Sequence, residues 1–159
     1  MSTLHSMIAA CQFNRTRTLA TLDRAEQLGA LGFRPGPRRA HVAWQLMHVA
    51  VTEELFATER LVPGTTAAFA DLVPRFRGGS TPDDSIPTAA EIRDALNQTR
   101  EHLLATLSRF GDKDLGTIPA ALQERKLAIV DVLHILAWHE AHHQGQAHIS
   151  LNLFQAQTK

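Results

Sequence analysis

Apolar positions along the chain recur at spacings of three and four, and no stretch alternates in the period-two manner of a strand. Four segments carry this helical period. The first spans residues 2–28, where Leu4, Ile8, Cys11, Arg15, Leu19, Leu22 and Ala25 fall on one stripe. It stops at Gly32-Phe33-Arg34-Pro35-Gly36-Pro37, because proline has no amide donor and clashes with the preceding turn. The second covers residues 39–61 and halts before Pro63-Gly64. The third opens at Thr88-Ala89-Ala90-Glu91, a capping box in which hydroxyl and carboxylate each accept from a free backbone amide, with Pro87 just outside it. Ile92, Leu96, Thr99, Leu103 and Leu107 mark its buried stripe and Gly111 its end. The fourth runs from Leu127 to Phe154, after a loop over 112–123 that contains Gly116 and Pro119.

The connection from Val62 to Pro87 is far longer than the few residues that usually join antiparallel neighbours, and residues 67–73 within it suggest a short extra turn. A chain of that length can cross the bundle, so the second and third helices are expected to run parallel. The expected fold class is therefore all-α, a four-helix bundle built as one domain over residues 1–159.

Charge adds little direction. Lys and Arg number 16 against 16 Asp and Glu, which offers no electrostatic pull toward nucleic acid or an anionic membrane. Arg34, Arg38 and Arg39 read as a solvated corner. No window reaches the ~18 apolar residues of a membrane span. Gln12, Asn14 and Arg15 interrupt what would be the apolar run of a signal peptide, so the cytoplasm is expected. The single cysteine, Cys11, makes no internal disulfide and reads as a small buried hydrophobe.

Histidine changes the picture. The chain has nine, five of them between His134 and His148. With about 100° per residue and His139 at zero, His143 lies at about 40°, among Val132, Ile135 and Leu153 on the face that must turn inward. His134, Gln144, His148 and Asn152 fall on the far side. On the second helix His48 sits at the centre of the inward stripe, flanked by Trp44, Gln45, Val51, Thr52 and Leu55. Imidazoles inside an apolar core are costly unless every ring nitrogen has a partner. The pair on the fourth helix also reads as two hydrogen-bonded core histidines, but a third on a facing helix points to a three-ligand divalent metal site, with a position left open for water or substrate. Gln45, Thr52 and Gln146 are placed to orient an imidazole or a bound water. Glu59 shares the stripe but lies ~16 Å along the axis from His48, too far to ligate.

His139-Glu140-Ala141-His142-His143 also matches the H-E-x-x-H pattern of zinc proteases, in which Glu140 would be the general base. That reading is disfavoured. Beyond His143 the sequence holds no Asp or Glu and only His148, which points the other way.

Trp44-Gln45-Leu46-Met47-His48 and His139-Glu140-Ala141-His142-His143-Gln144-Gly145-Gln146 resemble the two signatures of the DinB-like superfamily of bacterial four-helix bundles. The long second connection and the capped third helix are similar as well. The resemblance implies an up-down-down-up bundle, often a homodimer, in which His48, His139 and His143 hold zinc, nickel or a similar divalent ion. Some relatives are transferases or isomerases that use a low-molecular-weight thiol. A basic residue is common in that family where this chain has Gln144.

These expectations converge on a metal-dependent enzyme acting on a small-molecule substrate, of the thiol-dependent transferase type ahead of the hydrolase type. The rival is a non-catalytic metal-binding bundle in stress response or protein association. Histidine ligands suit zinc, nickel, iron and copper alike, and manganese is also possible. Apolar positions outside the narrow stripes, Met7, Ala10, Phe13, Ala95 and Leu104, suggest a two-fold dimer.

Overall fold

A computed structural model describes residues 2–158, and among these the regular structure is entirely helical. Helix α1 spans Thr3–Gln27, and its N-cap Ser2 accepts from the His5 amide. Helix α2 spans Val42–Leu55 and continues as a π-helical turn over Phe56–Leu61. It begins later than expected because the chain turns at Arg38, where φ is 60°, and because His41 is the cap: its Nδ1 accepts from the Trp44 amide at 3.0 Å. A short helix α3, Val73–Phe76, lies in the long connection, displaced from the expected 67–73. The capping box at Thr88 opens α4, Ala89–Leu107, with both reciprocal bonds formed. Two 3₁₀ turns, Asp112–Asp114 and Ala120–Leu122, lead into α5, Ile129–Gln157.

Cross-bundle contacts give the helix directions. Along α1 and α5, Asn14 bonds the Ala137 carbonyl and Arg24 the Asn152 side chain, so these two run parallel. Glu53 meets Arg100 while Glu54 meets His102, so α2 and α4 also run parallel. Asp23 with Arg93, and the Cys11 carbonyl with Arg100, set α1 against α4. His48 with His139, and Gln45 with His143, set α2 against α5. The crossover between α2 and α4 is fastened rather than loose. Its Ala68 amide donates to Glu54, Trp44 donates to the Arg75 carbonyl, and Phe76 is buried in the core. Arg34 is no solvated corner: it bonds the Asp83 carbonyl at 2.6 Å and Asp84 at 2.9 Å, tying the first turn to the crossover. Arg38 and Arg39 are exposed.

The interior divides into two apolar clusters, one around Leu22, Leu46, Met47, Ile92 and Leu151, the other around Leu103, Leu107, Ile129 and Leu133. Between them lies a closed circuit of four charges. Arg15 bonds Glu53 and Glu140, each at 2.7 Å, and Arg100 bonds the same two carboxylates at 2.7 and 2.6 Å. All four residues are buried. The third nitrogen of each guanidinium is also used, Arg15 on the Leu96 carbonyl and Arg100 on the Cys11 carbonyl. Such groups are tolerated in a core because each charge is both paired and hydrogen-bonded. Burial pulls the Arg100 pKa down, but the Glu53 and Glu140 carboxylates outweigh that and hold it above its ordinary value.

Ala95, expected on the outer surface, is buried in the core. Phe13 and Trp138 are the largest exposed apolar side chains, 67% and 63% accessible, on the parallel pair α1 and α5. No helix among the described residues is long and apolar enough to cross a membrane.

Candidate metal centre

α2 and α5 face each other where His48 is opposed by one turn of α5, and the i, i+4 spacing puts His139 and His143 on the same side of that turn. The three rings form a triangle with centroids 4.8, 4.5 and 4.4 Å apart. His48 is buried and the other two are half-buried. Each offers a nitrogen to a group spanning no more than 4.8 Å.

Hydrogen bonds fix which nitrogen two of the rings present. His48 donates from Nδ1 to the Phe76 carbonyl at 2.6 Å, so its Nε2 carries the lone pair. His143 donates from Nδ1 to Gln45 Oε1 at 2.5 Å, which frees its Nε2 in the same way. His48 Nε2 and His139 Nε2 stand 3.1 Å apart. Two nitrogens about 2.0–2.1 Å from a shared ion, at about 90–110°, would be separated by about 2.9–3.4 Å, so this pair fits a divalent cation. The partners on the far nitrogens, a backbone carbonyl and an amide oxygen, are the kind that orient ligating histidines. Trp44 stacks on His48 with centroids 4.6 Å apart and 14° between planes, holding the ring from its other face.

Electrostatics keep the imidazoles neutral, the form that ligates. Burial, then the neighbouring His48, His142 and Arg60, pushes His139 down to about 4. Burial, then His139, His48 and His142, pushes His143 to about 3. His48 is lowered by burial against the opposing pull of its bond to Phe76.

The supporting residues expected from sequence divide. Gln45 holds His143, and Thr52 lines a cavity beside His48. Gln146 orients no ligand: its amide pairs with His142 at 2.7 Å, and His142 stacks on the exposed Trp138. Glu140, about 100° round the helix from His139, points away from the three histidines into the charge circuit. Gln144 is not on a free outer face, because it donates to Thr21 on α1 at 2.8 Å. Glu59 is exposed, and His134 and His148 also lie outward.

A cavity of about 400 Å³ opens beside His48 and His139, bordered by Thr52, Phe56, Arg60, Arg77, Arg125 and Ile135. A larger cleft of about 600 Å³ lies near Arg34 and Asp84 but reaches none of the three histidines. The π turn explains one wall. Twelve regular α positions would leave Arg60 about 120° from His48. A π turn, with its i→i+5 bonds, spends more residues per revolution and swings Arg60 back toward the His48 side.

Fold and site together define a helical bundle with a three-histidine centre between antiparallel α2 and α5. The family model described as the DinB superfamily matches residues 10–147, and the chain belongs to that superfamily. No curated protein and no solved structure matches the chain.

Proposed function

We propose that the protein is a metal-dependent enzyme of the thiol-dependent transferase type, acting on a small molecule, with zinc or nickel held by His48, His139 and His143. The supporting observation is the cavity that reaches two of the three histidines, while only three protein ligands are at hand among the described residues. A structural site is closed by four ligands, whereas a reactive one keeps a position open. Bound there, a divalent ion acts as a Lewis acid, lowering the pKa of a water or thiol that takes the open position.

The chain's own residues favour the thiol over water. Hydrolysis profits from a carboxylate base near the nucleophile, yet no Asp or Glu borders the cavity, and Glu140 is occupied by Arg15 and Arg100. A thiol deprotonated by coordination has no need of that base. His48 and His143 hold their orientation through Phe76 and Gln45, Trp44 packs on His48, and Phe56 and Ile135 supply apolar wall for a small substrate.

Cobalt substitution tests the reading. A stoichiometric site lost in His48→Ala, His139→Ala and His143→Ala, but kept in His134→Ala and His148→Ala, is expected. A sulfur-to-cobalt charge-transfer band should then appear on titration with a small thiol. No spectral change at millimolar thiol would reject the transferase type, and unchanged cobalt content in His48→Ala would reject the two-helix centre.

A further inference from the structure

The wall of the cavity facing the histidines is cationic. Arg60 comes from the π turn, Arg77 from the residue after α3, and Arg125 from the turn before α5, three segments far apart in sequence. Among the described residues none of the three forms an ion pair or a side-chain hydrogen bond with the protein. Among the described residues the cavity border holds no carboxylate. Arg60 is half-buried, packed over the Phe56 ring at 4.3 Å, which fixes its direction. Burial lowers its pKa, Arg125 and Arg77 lower it further, and only Glu59 opposes them.

The two buried arginines and two that line other clefts are matched, by contrast. Arg15 and Arg100 are neutralised by Glu53 and Glu140, Arg75 by Asp83, and Arg34 by Asp84. Three guanidiniums converging without a counter-charge repel one another, and the neighbouring histidines are poised to hold a further positive ion. A ligand anion would relieve that repulsion. Guanidinium groups also match carboxylate and phosphate oxygens through paired N–H donors.

We infer that the cavity bordered by Arg60, Arg77 and Arg125 binds a small ligand through its anionic group, a carboxylate or a phosphate, while the rest of that ligand extends toward His48 and His139. The inference deepens the proposed function, on which it rests for the role of the ion. It names the substrate or thiol class as anionic. A cavity of about 400 Å³ admits a small organic acid or phosphate ester together with its reacting end.

Calorimetric titration at constant ionic strength, with inorganic phosphate and separately with malonate, tests it on cobalt-loaded and on metal-free protein. Saturable binding of at least one anion is expected, and the tighter of the two distinguishes a phosphate-bearing from a carboxylate-bearing ligand. Arg60→Gln, Arg77→Gln and Arg125→Gln should each weaken it, by about tenfold for the half-buried Arg60, with cobalt stoichiometry unchanged. Arg77 and Arg125 are exposed, so those variants fold even if Arg60→Gln does not. Added chloride should weaken binding in wild type and much less in the variants. Absence of saturable binding by either anion, or binding indifferent to all three substitutions, overturns the inference. The metal reading fails separately: a wild-type protein that takes up no cobalt yet binds phosphate or malonate through these arginines would leave the anion site standing alone.

Discussion

Glu140 is the residue at which a motif and a structure make opposite predictions. As the base of a zinc protease its replacement would abolish catalysis and leave the fold intact. In the buried circuit it instead accepts Arg15 Nε at 2.7 Å and Arg100 NH2 at 2.6 Å, with about 3% of its side chain exposed. Glu140→Ala removes both bonds and leaves two guanidiniums sharing Glu53 alone, with one positive charge uncompensated in the core. Removing one partner of a buried pair costs about 3–5 kcal/mol, a large part of the roughly 5–15 kcal/mol that holds a domain together. For a chain of this size that corresponds to a fall in Tm of about 6–20 °C. Glu140→Gln keeps the shape and one acceptor oxygen but not the charge, so it should fall between. Urea and thermal unfolding followed by circular dichroism give both values. Cobalt content of the folded variant should be unchanged, since Glu140 faces away from the histidines. A Glu140→Ala protein as stable as wild type to within about 1 kcal/mol, or one that loses metal while keeping its Tm, would refute the structural role.

Three further outcomes follow from groups outside the centre. His41 caps α2 as a neutral acceptor, and burial followed by Arg34 lowers its pKa, so the unfolded chain binds a proton that the folded chain refuses. Stability should therefore fall as pH drops through about 6.5, and His41→Asn, which preserves an acceptor without titrating, should show a shallower fall in the same denaturant series. Burial raises Cys11 to about 11, with the Arg100 charge opposing, so native protein at pH 8 should resist iodoacetamide and react only once unfolded. A homodimer through α1 and α5 would cover Phe13 and Trp138, and sedimentation at micromolar concentration showing only a 17.5 kDa species would exclude it.

What was legible in the sequence was local. The period of three and four placed the long helices, and the capping box at Thr88 placed the start of α4 to the residue. His48, His139 and His143 could be brought together because each lies on the inward stripe of its own helix. Gln45 was within reach of the same reasoning, being one turn before His48. What escaped depends on chain segments that meet only in three dimensions. Arg15 lies on the expected buried stripe of its helix, but Glu53, Arg100 and Glu140 are ordinary members of a charged population until the helices pack. The π turn leaves no residue signature, so the wheel put Glu59 on the inward stripe and gave no hint of Arg60. Gln146 shared the right face of α5, yet His142 claims its amide. The carbonyl that fixes His48 belongs to Phe76 of the crossover, and a backbone acceptor has no letter in the sequence.

That last bond joins two things that are otherwise unconnected. The crossover contributes no histidine, but the Phe76 carbonyl reaches His48 Nδ1 at 2.6 Å, and Gly78 passes close enough that an added Cβ would stand 3.8 Å from the same ring. Whatever secures the orientation of His48 also secures the segment between α2 and α4, and by reciprocity the docking of that segment raises the affinity of the histidines for their ion. Occupancy of the centre should thus be written in a remote stretch of backbone, as slower amide exchange around residues 76–80. The loop becomes a reporter of whether the protein is loaded.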